Sequence, residues 1–321
     1  MRRSQGQHLG QWGRGDDGEH KTKSVVGPQW RWEFQPFSLI PAFLAVIGML
    51  IVSYPAVASW ISQYNQSKII TSYGAQLEAA EPDQVVQLER AHAYNAALQV
   101  GALLEANTNA PTGSGTSSDA DLDYDSILSV NSDGLIGRIR IPQIDVDLPI
   151  YHGTADRTLL EGVGHLEGTS LPVGGRGTRT VLTGHRGLAD AKMFTDLDKV
   201  RVGDIFTLEV FGEVLTYRVD DRKVVEPEDT ESLHADPNRD LATLVTCTPL
   251  GINSHRILLT GERVTPTPSS EVQAAGRAPG TPRFPWWAVW IPAGVVAAGL
   301  YVWWSGLPKQ SRRRRGPDAA S

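Results

Sequence analysis

Cys247 is the only cysteine of the chain and the side chain best suited to nucleophilic catalysis through a thiolate. It closes the apolar run Leu241-Ala-Thr-Leu-Val-Thr and precedes Thr248-Pro249-Leu250-Gly251. A residue at a strand end before a Pro/Gly turn can face a cleft from a rigid base. A thiol with a pKa of about 8.5 is mostly protonated at neutral pH and needs a cationic neighbour to react. His255 and Arg256 lie close in sequence, and a second strand ending, Thr180-Val-Leu-Thr-Gly-His185-Arg-Gly187, offers another titratable ring beside a glycine turn. A Cys, a His and an Arg at three strand ends could converge at one barrel rim. On spacing alone His152, His165, His234 and His255 compete for the base, and alternation along the strands leaves open which face Cys247 and Arg256 occupy. The competing reading is a thiol that only packs. A single cysteine excludes an intrachain disulfide and any CxxC pair.

The elements that must position these residues are short β-like runs broken by Gly, Pro and Asp. They are Gly137–Ile141, Val146–Ile150, Thr180–Thr183, Ile205–Val210, Val214–Asp220, Lys223–Val225, Leu241–Cys247 and Arg256–Thr260. Their number and spacing predict a mainly β unit, a sandwich or closed barrel of about 140 residues. Ahead of it, 62–104 reads as helical. Pro82 can open a helix, and Leu88, Ala91, Tyr94 and Leu98 recur at helical spacing as a packing face. Residues 106–121 are small and polar and read as a mobile loop; Thr265 to Pro282 reads as a second linker. No phosphate-binding GxxxxGK[ST] loop, HExxH or EF-hand loop is present.

Two uncharged runs set the compartment. Phe37 to Ile61 would span roughly 37 Å as a helix, enough to cross a hydrocarbon core of about 30 Å. Phe284 to Leu307 carries Trp at both ends, as in interfacial belts. Arg and Lys flank the outer side of both runs, which places both termini in the cytoplasm and the stretch between them outside. That stretch, 62–283, holds 19 Lys and Arg against 31 Asp and Glu, whereas the whole chain of 321 residues has a net charge of -6. This balance, and a hydrophobic span directly before the Arg tail, argue against a nucleic-acid binder. Ala56-Val57-Ala58 looks like a signal-peptidase site, but the apolar run exceeds the usual ~7–15 residues, which favours an uncleaved anchor.

The block Thr243-Leu-Val-Thr-Cys247-Thr-Pro-Leu-Gly-Ile-Asn-Ser-His-Arg256 resembles the TLxTC…R signature of the sortases, and most of all the TCTPxGxNxHR pattern of their class C, pilin-assembling branch. The stretches Gly137–Pro142, Leu148–Gly153, Gly162–Gly175, Leu182–Leu188, Phe194–Asp198 and Val224–Thr230 are similar to that branch as well, so the likeness covers about 135 to 265. It implies an eight-stranded sortase β-barrel with an N-terminal helical extension and two transmembrane helices. The organisation it implies is 1–36 cytoplasmic, 37–61 membrane, 62–124 helical with a lid-like loop, 125–265 catalytic barrel, 266–283 linker, 284–307 membrane and 308–321 cytoplasmic tail.

The resemblance also implies roles. Cys247 is the nucleophile, His185 the general acid/base and Arg256 the oxyanion or substrate stabiliser, with Thr246 and Thr248 near the substrate and His255 a scaffold residue. No cofactor is required. The substrates are pilins or other surface proteins with an LPXTG-like C-terminal sorting signal, handled at the outer face of a Gram-positive cell membrane. Rival readings are a sortase that attaches single proteins to peptidoglycan, a cysteine hydrolase, and a non-enzymatic pilus-assembly scaffold. One departure stands out. Class C enzymes commonly carry an Asp-Pro-aromatic lid motif, and between Asn95 and Ile127 there is no Asp-Pro; Asp121-Leu-Asp-Tyr-Asp125 offers acids and an aromatic in another order. Autoinhibition is therefore expected to be weak.

Overall fold

A computed structural model describes residues 31–79, 81–99, 102–103, 112–113, 116–117, 122–129, 133–280 and 282–307. The basic segment before residue 31, most of the polar stretch 106–121 and the Arg-rich tail after 307 lie outside those residues. The described residues fall into two units, 31–45 with 296–307, and 46–295. In the first, the Trp32 indole N–H donates to the Trp303 carbonyl at 2.9 Å and the Glu33 N–H to the Gly306 carbonyl at 3.0 Å. The second contains every residue with a candidate chemical role.

The helices are α1 (Leu39–Ala79), α2 (Glu81–Ala97), α3 (Asp156–Glu161), α4 (Ser269–Ala274) and α5 (Trp287–Ser305). The apolar run at 37–61 does not end where its charge-free stretch ends. It continues as one 41-residue helix, about 60 Å long, with Pro55 inside it. Helices α1 and α5 are long and apolar enough to cross a membrane. The far end of α1 is instead a packing element. Ile70 and Tyr73 are buried, and the Tyr73 hydroxyl donates to the Ile136 carbonyl at 2.5 Å while accepting the Phe211 N–H at 3.3 Å. On α2, Ala91 and Tyr94 enter the main core with Leu88 and Leu98 beside them. Helix ends at Ala97 rather than 104; Leu98–Gln99 pairs with Thr116–Ser117 and Ala102–Leu103 with Thr112–Gly113.

Eight strands close into a barrel: β1 (Leu135–Ile141), β2 (Val146–His152), β3 (Val163–His165), β4 (Thr178–Thr183), β5 (Ile205–Val210), β6 (Glu213–Val225), β7 (Asp240–Thr248) and β8 (His255–Arg263). Their order around the barrel is β6-β8-β7-β4-β3-β2-β1-β5. Pairing is antiparallel except for β4 with β7 and β2 with β3. Period-two alternation divides the side chains. Leu182, Leu244 and Leu259 join the interior core, whereas Val181, Val245 and Leu258 form a separate outer cluster closed by Leu233 and Leu166.

Three further elements differ from the sequence expectation. The runs Val214–Asp220 and Lys223–Val225 are one 13-residue strand, β6, with a bulge between Val219 and Asp221 that absorbs the paired acids. Strand β3 was not anticipated; it has three residues and a central glycine. The segment read as a linker contains α4 and lies against the barrel: Glu271 pairs with Arg140 at 3.2 Å, Arg138 donates to the Arg277 carbonyl at 2.8 Å, and the Gly276 N–H reaches Glu209 at 3.2 Å.

Candidate active site

Topology brings the three chemical residues to one rim. Strands β4 and β7 run parallel, so their C-terminal ends share an end of the barrel, and the antiparallel β8 starts there. Cys247 is the second-last residue of β7, Arg256 the second of β8, and the register pairs them directly. Directly opposed residues hold their Cβ atoms about 4.5–5.5 Å apart. Cys247 shares the outward face of β7 with Val245, and Arg256 that of β8 with Leu258, which settles the face that alternation in sequence left open. Thr183 of β4 pairs with Val245. Gly184 and His185 follow directly in the turn that leaves this end of β4.

The residues on either side of Cys247 fix the residues on either side of His185. The Thr246 hydroxyl donates to the Gly184 carbonyl at 2.7 Å, and the Gly184 N–H donates to the Val245 carbonyl at 3.1 Å. The Arg186 guanidinium donates to the Thr248 hydroxyl at 2.8 Å and to the Thr195 carbonyl at 3.2 Å, and pairs with Asp198 at 2.8 Å. The His185 carbonyl accepts the Phe194 N–H at 3.0 Å. A Cβ on Gly184 would come within 2.7 Å of the Phe194 ring, so only glycine lets the turn pass this close. Thr246 is 1% exposed, and both threonine hydroxyls are engaged within the protein. No sequence signal singled out Arg186 beyond its place beside His185.

Cys247, His185 and Arg256 are all buried, at 4%, 8% and 0% exposure. Burial pushes the Cys247 thiol above its ordinary range, and the Arg256 charge pulls it back down. Burial lowers the His185 imidazole, while Asp156 at the start of α3 works the other way. Both dominant effects favour the neutral forms. Arg256 is held by its Nη1, which donates to the carbonyls of Asn253 at 2.9 Å and His255 at 3.1 Å.

Of the competing histidines, His255 stands on the same rim, opposite Thr248 in the register, and His152, His165 and His234 sit elsewhere. His165 is fully buried between the Tyr124 hydroxyl, 2.8 Å from Nδ1, and the Ser170 carbonyl, 2.9 Å from Nε2, and burial drives its pKa down to about 3. His152 lies edge-on to Tyr124, with ring centres 4.8 Å apart, and Nδ1 3.2 Å from the Gly134 carbonyl. His255 pairs with Glu226 at 3.1 Å, and the His234 carbonyl accepts from Arg179 at 2.8 Å. Tyr124, the aromatic nearest to a lid motif in sequence, is thus buried against His165 and also accepts the Gly153 N–H at 3.1 Å.

Comparison with known proteins bears on the family and the fold. The family model described as the sortase domain matches residues 139–264. Sortase D of Bacillus subtilis (strain 168) is 30% identical over 132 residues, which is 40% of this chain and 64% of that protein. The matched stretch thus spans a little under two thirds of that curated relative. Among solved structures, sortase C-1 of Actinomyces oris is 47% identical with a TM-score of 0.50, covering 56% of this chain and 98% of that one. Sortase C of Streptococcus pneumoniae is 39% identical with a TM-score of 0.54, covering 63% and 98%. The chain belongs to the sortase family, and its solved neighbours place it in the class C branch.

Proposed function

We propose that the chain is a membrane-anchored cysteine transpeptidase that joins exported pilin subunits. The observation that carries this reading is the direct register of Cys247 with Arg256, with the His185 turn tied to the same rim by the Thr246–Gly184 and Arg186–Thr248 hydrogen bonds. The Cys247 sulfur attacks the Thr carbonyl carbon of an LPXTG-like sorting signal as His185 takes the thiol proton. Arg256 donates to the oxyanion that develops. The Thr–Gly C–N bond breaks, His185 returns the proton to the leaving Gly amine, and the acyl group stays on sulfur as a thioester. A lysine amine of the next subunit then displaces the sulfur, forming an isopeptide bond and regenerating the thiol. Thr246 and Thr248 act in this scheme as positioning residues for the His185 turn.

The pilin reading is favoured over single-protein wall attachment by the solved neighbours, among them a pilus-related sortase C of Group B Streptococcus at 37% identity. Helices α1 and α5, with the basic flanks seen in the sequence, support a two-pass topology with the barrel outside and both termini inside. Mixing the full chain with a pilin subunit tests the function. Ladders of covalent multimers that vanish in Cys247→Ala are expected. Single adducts on a peptidoglycan amine, with no ladder, would assign wall attachment, and release of free acid whatever the amine would assign a hydrolase.

A further inference from the structure

At the junction of α1, α5 and the β1–β2 turn lies a cleft of about 1070 Å³, lined on one side by apolar residues of the two long helices and on the other by polar residues of the barrel and the preceding segment. Val52 and Ala56 of α1 and Trp290 of α5 form the apolar wall. Val52 and Trp290 are 81% and 63% exposed, so the wall is uncovered within the chain. Trp60 and Trp287 meet edge-to-face across it, with ring centres 5.8 Å apart.

The two indoles differ in one respect. The Trp60 N–H donates to the Arg283 carbonyl at 2.8 Å. The Trp287 Nε1 is buried and has no hydrogen-bond partner among the described residues. A buried donor without an acceptor is unfavourable and marks a place where an acceptor is expected. The charges on the cleft wall point to the kind of acceptor. Arg140 is held by Glu209 at 2.7 Å, Asp147 by Arg138 at 2.6 Å, and Lys192 donates to the Ile144 carbonyl at 2.5 Å. Arg283 and Asp145 also line the cleft, and among the described residues neither has an ion-pair partner.

We propose that this cleft binds one membrane phospholipid, its phosphate held by the Arg283 guanidinium and the Trp287 indole N–H and its acyl chains laid along Val52, Ala56 and Trp290. Arg presents a planar fork that matches phosphate oxygens, and an indole N–H is a donor suited to the membrane interface. Asp145, the uncommitted anion, suits a headgroup that also carries an ammonium, so an ethanolamine phospholipid fits better than a glycerol one. The bound lipid fills the space between the helices and the barrel and supports the barrel at the bilayer surface. This rests on the membrane reading of α1 and α5.

Native mass spectrometry of the full chain in detergent tests it, with dioleoyl phosphatidylethanolamine and dioleoylglycerol as probes. One phosphatidylethanolamine per chain is expected, with dioleoylglycerol, which lacks the phosphate, retained far less. Arg283→Gln should weaken retention about tenfold and Trp287→Phe about fivefold, the usual worth of a charged and a neutral hydrogen bond. Trp304→Phe, outside the cleft, should leave it unchanged. Arg283 is exposed, so its variant gives a reading even if Trp287→Phe misfolds. Equal retention of both probes, wild-type retention in Arg283→Gln, or an adduct with the mass of a peptide or second chain would overturn the proposal. Carbonate extraction of cell membranes separates the two readings: a chain that resists extraction but shows no phosphate dependence defeats the lipid site alone, and a chain that is stripped off defeats the membrane reading.

Discussion

Thr246 donates its hydroxyl proton to the backbone carbonyl of Gly184 across 2.7 Å, and through this bond the strand carrying the proposed nucleophile holds the turn carrying the proposed base. Cys247 follows Thr246 and His185 follows Gly184, so the bond ties together the backbones that carry the two side chains proposed to react.

Thr246→Val keeps the shape and removes that donor. The Gly184 carbonyl loses its partner in a buried setting, which costs about 1–3 kcal/mol of stability. A shifted His185 is expected to lower kcat roughly tenfold with little change in KM, because misplacement of a catalytic group is felt in the chemical step. Thr246→Ser should recover most of the rate. Steady-state kinetics with a sorting peptide, alongside thermal melts, checks this; a rise in KM at constant kcat would make Thr246 a substrate contact.

The pH dependence of peptide cleavage follows from the two shifts at the site. The reactive pair needs one proton shared between Cys247 and His185. A second proton is added only below the His185 pKa, which burial moves beneath the ordinary value of about 6.5. The last proton leaves only above the Cys247 pKa, which burial moves up. A plateau through pH 7 to 8 is expected, with an acid limb on the low side of the ordinary histidine range. In Arg256→Gln the alkaline limb should move higher, because the charge that lowers the thiol is gone, and the plateau rate should collapse. Arg256→Lys, which keeps the charge and loses the fork, should also lose most activity. An acid limb above pH 7 in the wild type would contradict this.

His165 is a structural residue and should show itself in acid stability. Its folded pKa of about 3 lies below the unfolded value, so below pH 6.5 the unfolded chain binds a proton that the folded chain refuses. Stability present above pH 6.5 is lost as pH falls, by about 1.4 kcal/mol per pH unit until about pH 3. His152, also lowered by burial, adds to the same trend. His165→Gln should flatten the dependence of unfolding free energy on pH between 4 and 6.5. An unchanged slope would mean that His165 is protonated in the fold.

Removing 106–120 while keeping Tyr124, whose hydroxyl holds His165, tests the lid. Peptide turnover of the same order as the full chain is expected from a segment without an Asp-Pro-aromatic plug. A rise by orders of magnitude would show an inhibitory lid with another anchor.

What could be read in the sequence follows the range over which each signal acts. Cys247 and Arg256 sit nine residues apart in one recognisable block, and the register confirms them as neighbours. The contact of His185 with that rim depends on the parallel pairing of β4 and β7, whose members are more than fifty residues apart, so spacing alone could not choose it over four other histidines. Asp221-Arg222 reads as a gap between two short strands, yet β6 runs through it with a bulge between Val219 and Asp221, and Asp220 pairs with Arg239. Residues 269–274 look like linker by composition; what orders them is the contact of Glu271 with Arg140 and Thr207, two residues far back in the chain. The eight-stranded closure came through family resemblance, since strand β3, three residues around Gly164, carries no periodic signal.

The central claim is that Cys247 carries the acyl group. Intact mass of the full chain after mixing with an LPXTG-type peptide, with Cys247→Ala alongside, tests it most directly. The account predicts an adduct on the wild type alone, lacking the residues after Thr and removed by hydroxylamine as a thioester is. No adduct with any of several signal variants, or an equal adduct on Cys247→Ala, would contradict it.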